Sequence, residues 1–129
     1  MMNKDLRIQG VYKQLLEKTE WVAIVTWDGS SPHTVATWGN YIRVIDEEII
    51  VIPAGHYHKT EENLKRNRSV QVLIASRKVE GSHGPGQGCR IYGEGEIQLE
   101  GEFTQMVKEK FSWARGALVV RPKEIQLLL

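Results

Sequence analysis

The segment His58-Lys59-Thr60-Glu61-Glu62-Asn63 has the residue types to hold a phosphate. Lys59 supplies a compact positive charge and Thr60 a hydroxyl donor. The two glutamates suit the first turn of a helix, whose N-terminus carries unpaired N–H groups and the positive end of the dipole. Thr-Glu-Glu is equally an ordinary helix start, with Thr60 as N-cap. A second cluster is Gly81, Gly84, Gly86 and Gly88, with Pro85 among them. It differs from the dinucleotide fingerprint, because the residues after Gly88 alternate like a strand where that fingerprint opens a helix. It reads either as a plain surface loop or as bare backbone approaching a flat ligand. Trp38 stands with Thr37 and Asn40 in an otherwise apolar stretch, and Trp113 stands beside Arg115. Rings with donors nearby suit a planar ligand, although a tryptophan more often simply fills a core.

Other chemistries find little support. Neither Gly-x-Ser-x-Gly nor His-Glu-x-x-His occurs, and no catalytic residue is assigned. Cys89 is the single cysteine, so an intramolecular disulfide and a multi-thiolate metal site are excluded. It has no histidine beside it to make it a nucleophile. His56 and His58 would share a face on a strand, but no third ligand lies near, and no metal site is expected.

These residues must be positioned by one small domain. The chain has 129 residues, 41% hydrophobic and 26% charged, enough for a packed core. Seventeen basic and sixteen acidic residues give a net charge of +1. That balance gives no support to a nucleic-acid or membrane-surface partner. No apolar run approaches the roughly 20 residues of a membrane span, and Met1 to Arg7 lacks a signal core. A cytoplasmic protein of one domain, residues 1–129, is the expectation.

Ile8, Val11, Tyr12, Leu15 and Leu16 mark one face of a first helix, with Lys4, Asp5, Lys13, Gln14, Glu17 and Lys18 on the other. Trp21 to Trp27 predicts a strand, His33 to Ile45 a long second one, and Ile49 to Ile52 a third stopped by Pro53-Ala54-Gly55. Lys59 to Asn67 predicts a short helix and Val70 to Ser76 a buried strand. A loop is expected from Lys78 to Gln87, then a strictly alternating strand from Arg90 to Glu100. Phe103, Met106, Val107 and Phe111 mark a third helix. Ala117 to Val120 predicts a last strand before an apolar tail, Leu127-Leu128-Leu129, with no obvious cover. Six or seven strands with hairpin-length links favour antiparallel pairing, and closure into a barrel would remove exposed edges.

Five blocks in this order carry a resemblance: Trp21-Val-Ala-Ile-Val-Thr26; Ala36-Thr37-Trp38-Gly39-Asn40-Tyr41; Pro53-Ala54-Gly55 through Asn63; Ser76-Arg77-Lys78 through Gly88; and Trp113-Ala114-Arg115-Gly116-Ala117-Leu118. The chain resembles the small FMN-binding proteins of sulfate-reducing bacteria. These belong to the FMN-binding split-barrel group that includes pyridoxamine 5′-phosphate oxidase. The resemblance implies a mainly β fold, a six-stranded antiparallel split β-barrel with peripheral helices. It also implies a homodimer with one FMN per subunit at the interface.

By that resemblance Ala36, Thr37, Trp38 and, more loosely, Asn40 lie along the flavin and ribityl chain. Pro53, Ala54 and Gly55 lie at the ring edge, and His58, Lys59 and Thr60 lead into the phosphate site. Arg77 adds a polar contact. Gly86, Gln87, Gly88, Trp113 and Leu129 form the wall supplied across the interface. The function implied is an FMN-dependent redox protein: an electron carrier working with a redox partner protein, or an oxidoreductase. The arginines that grip pyridoxamine phosphate in the oxidase have no counterpart here, which argues against that activity. Two alternatives stand beside the carrier. One is an NAD(P)H-dependent flavin or small-molecule reductase. The other is a non-enzymatic module for another ligand, such as haem or F420.

Overall fold

The computed structural model describes residues 6–129; Lys4 and Asp5, assigned to the polar face of the first helix, lie outside them. Three helices and seven strands follow one another: α1 (Gly10–Lys18), β1 (Trp21–Asp28), β2 (Ser31–Trp38), β3 (Arg43–Ile45), β4 (Ile49–Ala54), α2 (His58–Arg66), β5 (Ser69–Gly81), β6 (Gly84–Gln98), α3 (Glu102–Lys110) and β7 (Gly116–Leu127). The strands form one sheet in the order β2-β1-β5-β6-β7-β4-β3. Every neighbouring pair is antiparallel. No helix among the described residues is long and apolar enough to cross a membrane.

The sheet is curled, because strands from both of its halves share one core. Val22 and Ile24 of β1 pack in the same cluster as Ile50 and Ile52 of β4 and Leu118 and Val120 of β7. Leu15 and Leu16 of α1 and Leu64 of α2 close that cluster. The alternate residues of β4 and β7, Val51, Ala117 and Val119, meet Val107 of α3 on the other side. Ile49 to Ile52 is therefore buried on two faces, which is why it reads as an unbroken apolar run.

The mainly β antiparallel fold matches the expectation, but there are seven strands rather than six. The extra one arises because His33–Ile45 is not a single strand. A short 3₁₀ turn, Gly39–Tyr41, divides it. β2 and β3 thereby become the two opposite edges of the sheet. The curled sheet is not hydrogen-bonded shut, so those edges persist where closure was expected to remove them.

Two further segments differ from the sequence reading. The expected loop from Lys78 to Gln87 is the tip of a long hairpin: Gly81 pairs with Gly84 around Ser82-His83, with an irregularity between Ser76 and Glu80. Gly84 and Gly86 adopt φ of +121° and +119° there, and a Cβ on Gly81 would sit 2.1 Å from the Gly86 carbonyl oxygen. The glycines thus allow the close backbone approach at the hairpin tip. The apolar tail also has backbone partners: β7 pairs with β6 as far as Leu127 opposite Cys89. The Leu128 N–H then donates to the Gly88 carbonyl at 2.9 Å.

Cys89 lies inside β6, fully buried, and burial pushes its thiol pKa up to about 12. The thiolate is the reactive form. The native protein is therefore expected to resist a disulfide reagent at pH 8 and to react with one equivalent only after denaturation. Rapid stoichiometric reaction of the folded protein would contradict this burial.

Candidate functional site

The ends of β2 and β4 and the approach to β7 come together around an open cavity of about 330 Å³. Six residues expected at the site line it: Ala36, Thr37, Trp38, Pro53, Gly55 and Trp113. Tyr41, His56 and Tyr57 also line it and were not among the expected site residues. The signal for His56 and Tyr57 was their place between Gly55 and the Lys59-Thr60 pair; only the 3₁₀ turn reveals Tyr41.

Tight packing of one wall leaves its rings accessible. Trp113 stacks at a tilt on Tyr41 and Phe111, with centroids 5.6 and 5.7 Å away. A Cβ on Gly55 would lie 3.1 Å from the Trp113 ring, so glycine lets the indole lean on bare backbone. Trp38 and Trp113 each remain 52% exposed. Trp38 pairs in register with Trp21, itself exposed, so the apolar surface continues along β1. Contiguous exposed aromatics of this kind mark a surface that takes a ligand or a partner.

The loop after β4 leads directly into α2. Tyr57 holds the left-handed conformation at φ +56°, uncommon for a residue with a side chain. Its hydroxyl donates to the Ala36 carbonyl at 3.2 Å, tying the loop to β2. Burial pushes the Tyr57 hydroxyl pKa above its ordinary value, partly opposed by a hydrogen bond with Thr37.

Tyr57, not Thr60, is the N-cap. Thr60 is the third residue of α2. The Glu61 N–H bonds back to the Tyr57 carbonyl at 2.9 Å. The N–H groups of His58, Lys59 and Thr60 therefore precede the helical ladder and offer the anion-binding end of the helix.

Thr60 is fully buried and its Oγ1 has no hydrogen-bond partner among the described residues. Lys59 Nζ reaches Asp28 Oδ2 at 2.8 Å, and Arg66 Nη1 reaches Asp28 Oδ1 at 3.0 Å. The Lys59 hydrogen bond and charge, with Arg66, hold the Asp28 carboxyl below its ordinary pKa. A cation, a partnerless hydroxyl and unpaired helix N–H groups fit a phosphate monoester beside the cavity.

The remaining expected residues divide into two places. Asn40 and Arg77 line a neighbouring cleft of about 750 Å³ that shares Trp38 and Tyr41 with the cavity. Lys18 and Lys78 also line it. Gly86, Gln87 and Gly88 lie at the start of β6 with Leu129 beside them, and none of the four lines the cavity. There Gln87 Oε1 accepts from the Gly88 N–H at 2.9 Å and the Leu129 N–H at 2.8 Å. Gln87 is thus a brace for the chain end. Ala54 lies buried at the end of β4, its carbonyl accepting from the Arg115 N–H at 2.9 Å. His58 is exposed at the start of α2. Among the described residues, no three of His, Cys, Asp and Glu gather as a metal-binding group.

Comparison with known proteins identifies the family and the fold. The sequence model of the family described as "Pyridoxamine 5'-phosphate oxidase" matches residues 8–128. An "FMN-binding protein" of Nitratidesulfovibrio vulgaris (strain Miyazaki F) is 40% identical over 114 residues, covering 88% of this chain and 92% of that protein. Among solved structures, a single-residue variant of HupZ from Group A Streptococcus superposes with a TM-score of 0.77 at 18% identity, covering 94% of this chain and 99% of that one. An FMN-binding protein of Syntrophomonas wolfei gives 0.65 at 18% identity, covering 91% and 88%. The two structural likenesses establish the fold. With its family match running almost end to end and a close relative of nearly equal length, this chain belongs to the pyridoxamine 5′-phosphate oxidase family.

Proposed function

We propose that this chain is an FMN-binding redox protein, working as a homodimer and passing electrons to and from a partner protein in the cytoplasm. One observation carries the reading. An aromatic cavity of about 330 Å³ is lined as far as Tyr57, the N-cap of α2, and the first turn of that helix carries Lys59 and a buried Thr60 hydroxyl with no hydrogen-bond partner among the described residues. The 40% identical relative is named for FMN, which joins a flat ring to a phosphate. Bound FMN would supply one- and two-electron chemistry. The chain's own work is to seat it. Trp38 and Trp113 offer ring faces, Gly55 clears the edge, and Lys59 with the first turn of α2 neutralises the phosphate.

Two chains are the proposed unit because the site is open on one side. Trp21, Trp38 and Trp113 are more than half exposed. Leu127, Leu128 and Leu129 are 42, 41 and 60% exposed, although their backbone is paired or braced. A second copy placing Leu129 and the Gly86–Gly88 segment over the ring would cover both surfaces.

A reductase reading has one observation of its own. Lys18, Arg77 and Lys78 line the cleft that shares Trp38 and Tyr41 with the cavity, and these cations suit an anionic co-substrate such as NAD(P)H. One preparation separates the readings. The purified protein is expected to be yellow, with one FMN per chain by mass detection and a size of two chains. Rapid reduction by NAD(P)H alone would favour the reductase. A protein without flavin, colourless or red, would overturn the proposal.

A further inference from the structure

We propose that Arg115 is a positioning residue of this site, locking the strained loop between β4 and α2 in the shape that receives the flavin. The inference rests on the reading of the cavity as a flavin site. Arg115, just before β7, reaches the loop and the elements on both sides of it. Its backbone N–H donates to the Ala54 carbonyl at 2.9 Å, where the loop begins. Its Nε donates to the His56 carbonyl at 2.8 Å, at the middle of the loop. Its Nη1 meets Glu61 Oε1 at 2.9 Å, one turn into α2.

The arrangement has features of a clamp. The Arg115 and Glu61 side chains are only 26 and 13% exposed, so solvent screens their pairing far less than the surface ion pairs. A guanidinium is planar and carries its donors in a fixed fork, so one side chain can fix a carbonyl and a carboxylate in a set relation. Between those anchors lies Tyr57 at φ +56°, a conformation that persists only when its surroundings over-determine it. Tyr57 is tied from the opposite side through Ala36. Arg115 Nη2 is buried without an acceptor among the described residues, so one nitrogen of the fork is left unpaired beside the two that hold His56 and Glu61. The clamped loop presents Gly55, His56 and Tyr57 to the cavity and sets where α2 begins. Arg115 therefore bears on the ring wall and the phosphate end together.

Two probes read this apart from overall stability: FMN, and riboflavin, which has the ring and side chain but no phosphate. Titrated well below the melting transition, Arg115→Gln is expected to weaken both probes by tenfold or more. Its visible flavin spectrum is expected to shift toward that of free flavin. Arg115→Lys keeps the charge but not the fork, and is expected to recover only part of the loss. Glu61→Gln keeps Arg115 on His56 and is expected to weaken both probes about threefold. Wild-type affinity and spectrum for both probes in Arg115→Gln would overturn the inference. Should that variant not fold, wild-type affinities in Glu61→Gln would overturn it. If the wild-type protein itself binds neither probe, the flavin reading fails before the clamp is tested.

Discussion

The double variant Lys59→Ala/Thr60→Val is expected to bind FMN about two to three orders of magnitude more weakly than wild type, with riboflavin affinity unchanged. The lysine contributes a charge-assisted contact to a dianion, and such hydrogen bonds are worth about 1.5–3 kcal/mol. Part of that is offset, because Lys59 already pairs with Asp28 at 2.8 Å and must share its charge. The Thr60 hydroxyl adds a donor whose potential is unspent in the protein. A combined loss of about 3–4 kcal/mol corresponds to the stated factor. The two positions also separate. Thr60→Val removes a buried hydroxyl that has no partner among the described residues, and an unsatisfied buried polar group costs about 1–3 kcal/mol. This single variant is therefore expected to melt at a higher temperature without flavin while binding FMN more weakly. Higher stability with unchanged FMN affinity would show that the hydroxyl is not a phosphate ligand. Equal FMN affinity in the double variant would remove the phosphate assignment altogether.

The contrast between Lys59-Thr60 and Arg115 shows what a single sequence can and cannot disclose. The lysine, the threonine and the helix they start lie within a few residues of each other, so local pattern exposes them. Arg115 acts on His56 and Glu61, which are more than fifty positions away along the chain, and no spacing rule connects them. The same holds for Asp28, which meets Lys59 and Arg66 only because β1 runs past α2. Tyr57 was readable as a neighbour of the motif, but its left-handed backbone is a product of the clamp and the β2 tie.

The fold itself was legible where periodicity was strong. Alternation from Arg90 placed Ile91 and Ile97 on the core face of β6, although Leu99 lies past its end and is exposed, and Ile49 to Ile52 is a strand as expected. The run Val70 to Ser76, expected to be buried on both faces, buries only its alternate residues Val70, Val72 and Ile74. Composition misled in two places. Four close glycines resemble a mobile loop, whereas at Gly81 and Gly86 they let two paired strands approach closely at a tight hairpin. The terminal leucines looked uncovered because their side chains are exposed, yet their backbone extends β7. At the tail the deciding fact is a neighbour distant in the chain.

Gly39 is the sharpest of these long-range facts, and Gly39→Ala is expected to destabilise the protein by at least about 3 kcal/mol, the upper range of overpacking. A Cβ there would lie 1.9 Å from the Thr19 carbonyl oxygen, 2.8 Å from its carbon and 2.9 Å from Thr19 Cγ2. Thr19 has little freedom to retreat. It is 4% exposed, and its N–H donates to the Leu15 carbonyl at 2.8 Å, ending α1. Its hydroxyl lies 2.8 Å from the Trp21 carbonyl and 3.0 Å from the Ala75 carbonyl. The Gly39 N–H is itself bound to the Glu20 carbonyl at 2.9 Å. Both sides of the contact are backbone, so the clash is relieved only by moving the 3₁₀ turn, and with it Trp38, Asn40 and Tyr41. A chain of this size loses roughly 4 °C of melting temperature per kcal/mol. Gly39→Ala is thus expected to melt more than about 10 °C below wild type and to bind FMN weakly at temperatures where it is still folded. Gly29→Ala is the matched control: its φ is +60°, but nothing lies within 4 Å of the added methyl. That change is expected to cost only about 1–2 kcal/mol, the strain of a left-handed residue, and to leave flavin binding unchanged. Equal melting temperatures for the two variants would mean that local adjustment relieves the contact with Thr19. A larger loss at Gly39, with flavin binding impaired only there, identifies the contact with Thr19 as what turns the chain from β2 toward β3 and sets the two site aromatics, Trp38 and Tyr41, in place.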